Sequence, residues 1–398
     1  MSRQGTKTGK GKGPVTVVIF EGGQDTSPIE MELTAVRHAL LLDNMEKFFA
    51  SPYTREVFLL TNYPHLAREA ELLGARVELQ CPPGEQFVQD GRPAGQAFPP
   101  FHFGRELQRI VRDLDPSHIF YLGGAGAPLI TTPEIDGICR SLLAKERAVI
   151  TNNSQSADLV AVTPASLLLE IPPPAMDNTL AWDLQEGCGI TRQLAPASLG
   201  TVFDLDTPAD LLVLAATSFV GPRARRQLGH LSLDLAPLAR ARGVLTGDYE
   251  DVVLMGRVGA PVIARINSNL KVRLRIFSEE RGMKALGRIR DQKVVSLMGY
   301  FLDEVGLKDF FAYMSRVCAC AFIDSRVLFS HRKLEPSDAD RFNSDLGRWQ
   351  EIQDPFVRDF TRAALDCPIP VILGGHSLIL GGLWALVEDI GPQFEFPG

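Results

Sequence analysis

The chain has 398 residues, 45% of them hydrophobic and 22% charged, with a formal net charge of −7. That length predicts two domains and that composition a soluble globular protein with ample core. The acidic balance argues against general affinity for nucleic acid or anionic membrane, and no uninterrupted apolar run is long enough to span a bilayer.

Residues 1–13 are basic and Gly-rich without an apolar signal core, which predicts a disordered tail. After Pro14, "VTVVIFEGG" reads as a buried parallel strand closed by Gly22 and Gly23. A helix follows over 33–49, where Val36, Leu40, Met45 and Phe48 recur at near-helical spacing before Pro52. Then come a strand at 56–62, a helix at 65–74 closed by Gly74, and a strand at 75–80. Residues 82–104 are Pro/Gly-rich and predict a long loop. A helix at 104–114 leads into the strand 118–122, the turn "GGAGA" and a helix with Thr132 as N-cap and Pro133 as first residue. "RAVITN" and "ADLVAVTP" predict two more strands, followed by a proline loop carrying Asp177 and Asn178 and a short helix to Glu186. "TVFDLDTPADLLVLAATS" predicts a strand, a Thr207 cap and a helix whose T-x-x-D spacing is a capping-box variant. The Arg-rich "GPRARRQ", 221–227, predicts the domain boundary.

Beyond it, "DVVLMG", "APVIARI" and "VRLRIFS" read as strands, with helices near 283–305, 307–317, 337–351 and 354–366. A closing strand, double-Gly turn and apolar helix complete the chain. The expectation is α/β throughout: a mostly parallel sheet with flanking helices over 14–220, and a second α/β or α+β domain over 228–398. The six cysteines, Cys81, Cys139, Cys188, Cys318, Cys320 and Cys367, contain no CxxC pair, and the C-x-C at 318–320 predicts buried thiols in a reducing cytoplasm.

"YLGGAGAPLITTPEI", "ADLVAVTP" and "TVFDLDTPADL", in that order, make residues 14–220 resemble the nucleotidyltransferase superfamily. The likeness is to its molybdenum-cofactor guanylyltransferase-like and phospholactate guanylyltransferase-like members. It implies a nucleotide-diphospho-sugar transferase-like fold of the GT-A type. It also implies transfer of a nucleotidyl group from a nucleoside triphosphate (NTP) to a small phosphorylated acceptor, with Mg²⁺. Gly22 and Gly23 match the phosphate-cradling glycines, Pro128 and Leu129 match the mid-domain turn, and Gly123 and Gly124 before it are candidate nucleotide-binding residues. Asp158, in the matching "ADLVAV" strand, is a candidate to orient a base or ribose hydroxyl, or simply ends the strand. The family's metal-binding Asp falls in the window 124–127, which holds no acid, and its phosphate-binding Lys is missing, leaving only Arg37. Asp204 and Asp206, alternating with Leu205, are then the candidate metal ligands and catalytic acids. Their bland alternative is helix capping, with Asp210 complementing the helix dipole.

No family resembles the second half. Arg273 and Arg275 alternate along a predicted strand, and Arg281 follows them, so Arg275 and Arg281 are candidate anion-binding groups. The commoner role of such mixed charge is a solvated, salt-bridged surface. Asp324 and Arg326 alternate likewise, and Ser337 reads as an N-cap with Asp338 and Asp340 in the first turn. His376, in "GGHS" at a strand's carboxyl end, sits where open α/β sheets place ligands and is a candidate acid–base group, or a buried histidine satisfied by backbone. The leading expectation is a cytoplasmic nucleotidyltransferase-like enzyme, with room for homo-oligomer formation and no nucleic-acid or membrane partner. Its alternative is a non-catalytic, ligand-binding descendant of the same fold. A sugar-nucleotide glycosyltransferase ranks last, because "DLD" at 204–206 lies late in the domain.

Overall fold

The computed structural model describes residues 13–80, 101–124, 126–153, 157–284 and 286–394. The expected disordered tail, except Gly13, and nearly all of the expected Pro/Gly loop lie outside them. The chain forms two compact units: residues 1–24 with 37–202, and residues 25–36 with 203–398. The expected boundary at 221–227 falls within the second unit, largely in a helix, Pro222–Leu228. Among the described residues no helix is long and apolar enough to cross a membrane.

The first unit is built on seven strands: β1 (Val15–Glu21), β2 (Thr54–Thr61), β3 (Arg76–Leu79), β4 (His118–Gly123), β5 (Ala148–Thr151), β6 (Leu159–Thr163) and β7 (Arg192–Leu194). Their order is β3-β2-β1-β4-β6-β5-β7, parallel except for β6, which runs antiparallel to both β4 and β5. Both faces of the sheet are buried, which is why β1 and β4 read as continuous apolar runs. Val15, Val17 and Ile19 join one core with Phe120 and Leu122, while Val18 and Phe20 join the opposite core with Ile119 and Tyr121. The register pairs Ile19 with Leu122 and Phe20 with Gly123, so the carboxyl ends of β1 and β4 finish side by side.

Two local expectations shift here. The helix Thr132–Leu143 is capped by Thr131, not Thr132, because Glu134 stands three residues beyond Thr131 and closes a reciprocal capping box. Strand β7 has only three residues and no apolar pattern, so nothing in the sequence announces it.

The second unit carries β8 (Glu250–Gly256), β9 (Val272–Ser278), β10 (Cys320–Asp324) and β11 (Val371–Gly374), all parallel, in the order β11-β10-β8-β9. From β8 the chain goes to β9 on one side and then crosses to β10 on the other, making β8/β10 the topological switch point of the sheet. Val253, Met255, Ala321, Ile323 and Leu373 pack against Phe310, Phe311 and Phe360. Cys318 and Cys320 are buried, and burial pushes the Cys318 thiol up to about 11.

Several expected elements differ. "APVIARI" is not a strand but the start of the helix Ala260–Asn269, with Val262 and Ile266 buried at helical spacing. "TVFDLD" is no strand either: Leu199–Val202 is a helical turn and Asp204 an isolated bridge. The segment after Arg281 is a series of turns, and the helix begins only at Leu297, running to Val317 with a break at Gly306 (φ 76°). The helix after Ser337 ends at Asp345. Strand β10 stops at Asp324, so Arg326 lies on the helix Ser325–His331 and does not share a strand face with Asp324.

Candidate functional site

In the first unit, polar groups gather where β1 and β4 end. Glu21 closes β1 almost fully buried, and Arg37 donates to its Oε1 from Nε at 2.8 Å and Nη2 at 2.5 Å. His38 Nε2 lies 3.5 Å from the same oxygen. The adjacent turn has no acid of its own, but it is shaped round acids from elsewhere. A Cβ on Gly124 would fall 1.8 Å from Glu21 Oε2, and one on Gly126 would fall 2.5 Å from Asp158 Cβ. A Cβ on Gly123 would stand 3.2 Å from Asp177 Oδ2. Tyr121 donates its hydroxyl to Asp177 Oδ2 at 3.1 Å, and Asn178 Nδ2 donates to Asp158 Oδ1 at 3.3 Å. Burial, then the charges of Asp177, Asp158 and Glu21, hold the Tyr121 hydroxyl well above its usual range, so all three carboxylates act on one buried phenol.

The glycine N–H groups are largely spent within the protein. Gly123 donates to Asp158 O and Gly124 to Phe20 O, each at 2.9 Å. Gly23 donates to Asn62 Oδ1 at 3.1 Å, and Asn62 Nδ2 donates back to Gly23 O at 2.8 Å. Gly22 and Gly23 are exposed, while Gly124 is buried under Glu21. The sequence signal for Glu21 was a lone acid ending an otherwise apolar strand.

In the second unit a larger cluster forms at the carboxyl ends of β8, β10 and β11. Asp324, fully buried at the end of β10, accepts from Arg257 Nε at 2.5 Å and Nη2 at 3.1 Å. Burial alone would raise the Asp324 carboxyl, but Arg257 overrides it and holds the group below its usual range. Arg326, nearly buried, grips Asp345 with both terminal nitrogens, the Nη2–Oδ2 contact being 2.6 Å, and donates to Gly374 O at 3.3 Å. Asp210, fully buried in the first turn of the helix Pro208–Ala216, accepts on Oδ2 from Ser377 Oγ at 2.7 Å, Thr207 N at 2.8 Å and Asp206 N at 3.0 Å. Its Oδ1 is buried with no hydrogen-bond partner among the described residues. Burial pushes the carboxyl up to about 7 despite those donors.

His376, half-buried after β11, is held below its usual value first by burial and then by Arg257, opposed by Asp324 and Asp206. Asp206 and Arg281 are exposed, and both act on His376. Two of the expected residues thus lie within electrostatic reach of a third. Arg275 is not among them: it lies mid-strand on the edge strand β9, half-exposed, 3.4 Å from Asp251 Oδ1. That face of β9 is solvated, and Asp251 of β8 answers Arg273 as well. Asp204 is half-buried and shares no strand with Asp206. Sequence reasoning missed Arg257, because one arginine after "VVLMG" carries no pattern. A cavity of about 500 Å³ in this unit touches the cluster only through Asp345, and its Arg348 is already paired with Glu32 at 3.0 Å.

A preformed Mg²⁺ site does not fit these residues. Among the described residues no group of three or more His, Cys, Asp or Glu side chains is placed to hold a metal ion. Glu21 is committed to Arg37, and Asp206 stands among arginines.

No protein family matches the chain by sequence, and no curated protein does. Among solved structures it is similar to CMP:2-keto-3-deoxy-manno-octonic acid synthetase complexed with CTP, at 11% identity and TM-score 0.30, covering 45% of this chain and 88% of that one. A second is 4-diphosphocytidyl-2C-methyl-D-erythritol synthase, at 10% identity and TM-score 0.33, covering 50% and 95%. A third, from Desulfovibrio desulfuricans G20, is provisionally described as a nucleotide-diphospho-sugar transferase, at 11% identity and TM-score 0.35, covering 51% and 87%. Overlaps this loose assign no chemistry to the chain.

Proposed function

We propose that the chain is a nucleotidyltransferase-type enzyme. Its first unit receives an NTP where β1 and β4 end and passes the nucleotidyl group to a small phosphorylated acceptor. One observation carries this reading: Glu21, Asp158 and Asp177 converge on a turn that has no acid of its own. The ordered motifs of residues 14–220 and the sheet with its single antiparallel strand support it. Asp158 and Asp177 so placed accept hydrogen bonds from ribose or acceptor hydroxyls, while Glu21 holds Arg37 beside them, and such acceptors fix the orientation that transfer requires. The exposed Gly22–Gly23 turn lets a ligand approach the backbone closely.

A second reading rests on Arg37. It is the one cation following the glycine turn at the place of the family's lysine, and it is committed to Glu21. That commitment favours a ligand-binding descendant without transfer chemistry. Titration calorimetry with each of the four nucleoside triphosphates, with and without Mg²⁺, combined with a pyrophosphate-release assay across phosphorylated acceptors, separates the two. Binding with release supports the enzyme, binding without release supports the descendant, and no binding to any nucleotide sinks the enzyme.

A further inference from the structure

The second unit carries polar side chains that its own fold leaves unused. His376, Arg281 and the Asp206 carboxylate make no side-chain hydrogen bond or ion pair among the described residues, yet Asp206 and Arg281 both lie within electrostatic reach of His376. The half-buried His376 imidazole is not sealed from solvent, so a ligand can reach it. The place is also informative. Arg257 follows β8 and Asp324 ends β10, so these groups sit at the switch point where the strand order of an open parallel sheet reverses and leaves a crevice.

Around that crevice the arginines are held in place. Arg257 is fixed by two hydrogen bonds to Asp324, and Arg326 by a two-pronged grip on Asp345. Arg341 is paired with Asp338. Arg281 has no acid against it, and its Nη2 stands 3.8 Å from where a Cβ on Gly259 would be. Glycine matters at two further positions. Gly256, with φ 112°, brings β8 against β10 so closely that a Cβ would lie 2.5 Å from Asp324 Cβ. A Cβ on Gly375 would stand 3.9 Å from Arg326 Nε, which places that guanidinium beside the turn that carries His376. An unmatched guanidinium and an imidazole without a partner in the fold suit a phosphate, while a nearby free carboxylate suits a hydroxyl.

We infer that the second unit binds a small phosphate monoester of a hydroxylated compound at the β8/β10 crevice. Arg281 and His376 meet the phosphate, and Asp206 receives a hydroxyl. This site stands apart from the nucleotide reading of the first unit, and its test uses no nucleotide, so either can fail alone.

The test titrates the full chain with glycerol 3-phosphate and with inorganic phosphate by calorimetry, following the imidazole C2–H of His376 by proton NMR. Both anions bind and shift the His376 resonance, the ester at least as tightly. R281A weakens binding at least tenfold and H376Q several-fold, with melting temperatures unchanged because neither side chain bonds within the fold. Three results overturn the inference: no binding at tens of millimolar, affinity unaltered in both variants, or preference for glycine or acetate over the phosphates.

Discussion

Replacing Asp210 by Asn removes one buried charge while keeping an acceptor for Ser377, Thr207 and Asp206. Burial raises this carboxyl from the ordinary 3.8 to about 7. The sign follows from which state holds the proton. Between those two values the unfolded chain has released it while the folded chain keeps it, so stability falls as pH rises through the window. Above about 7 both states are ionised and the full penalty, about 4 kcal/mol, is in place. The variant has no such slope. Urea unfolding of both proteins at pH 4.5, 6 and 8, compared as a difference so that other titrations cancel, therefore shows the Asn variant gaining roughly 3 kcal/mol relative to the parent across that range. A difference that stays flat within about 1 kcal/mol refutes a buried proton on Asp210.

Further expectations are open to the same methods. Gly256→Ala forces a side chain into φ 112° and against Asp324, and it destabilises the second unit by about 2–5 kcal/mol in urea unfolding. Asp345→Leu strands Arg326 and costs about 3–5 kcal/mol, while adding Arg326→Met restores most of it; a double variant no more stable than the single one contradicts the pairing. Glu21→Gln releases Arg37 and tightens NTP binding about tenfold by calorimetry, whereas weaker binding would show that Glu21 itself receives the ligand.

What the sequence showed and what it hid follow a physical line. The strands were legible wherever both faces are buried, because uninterrupted Val, Ile, Leu and Phe leave few other places for a segment to go. The same cue misled at "APVIARI", where β-branched residues outweighed Pro261 and the four-residue spacing of Val262 and Ile266. His376 was visible by its strand-end turn, Asp206 by its alternation with Asp204 and Arg281 by its arginine-rich run. Their buried scaffold was not: Arg257 meets Asp324 across 67 residues, and Glu21 meets Arg37 across a turn and half a helix. Pairing across such distances leaves no periodic trace. Expected alternation put Asp324 and Arg326 on one strand face; both reach the cluster, but through separate partners.

The two units solve one problem in the same way. In each, an apolar parallel strand ends in a buried carboxylate gripped by an arginine, Glu21 by Arg37 and Asp324 by Arg257. In each, a glycine closing or following the neighbouring strand, Gly124 or Gly256, gives up its side chain to make room. A lone buried acid would be too costly to keep charged, and a lone arginine would be too mobile to aim, but the pair is neutral and rigid. It also settles how each end of the sheet meets an anion. Where the arginine is consumed and further acids surround the turn, as at Gly124, a phosphate meets acceptors and repulsion. Around Asp324 the other arginines are paired with acids of their own, and the exposed Arg281, which has none, is the one left to meet a phosphate. If both proposals hold, inorganic phosphate alone binds at the second crevice, while the first unit needs the rest of the nucleotide to hold its phosphates.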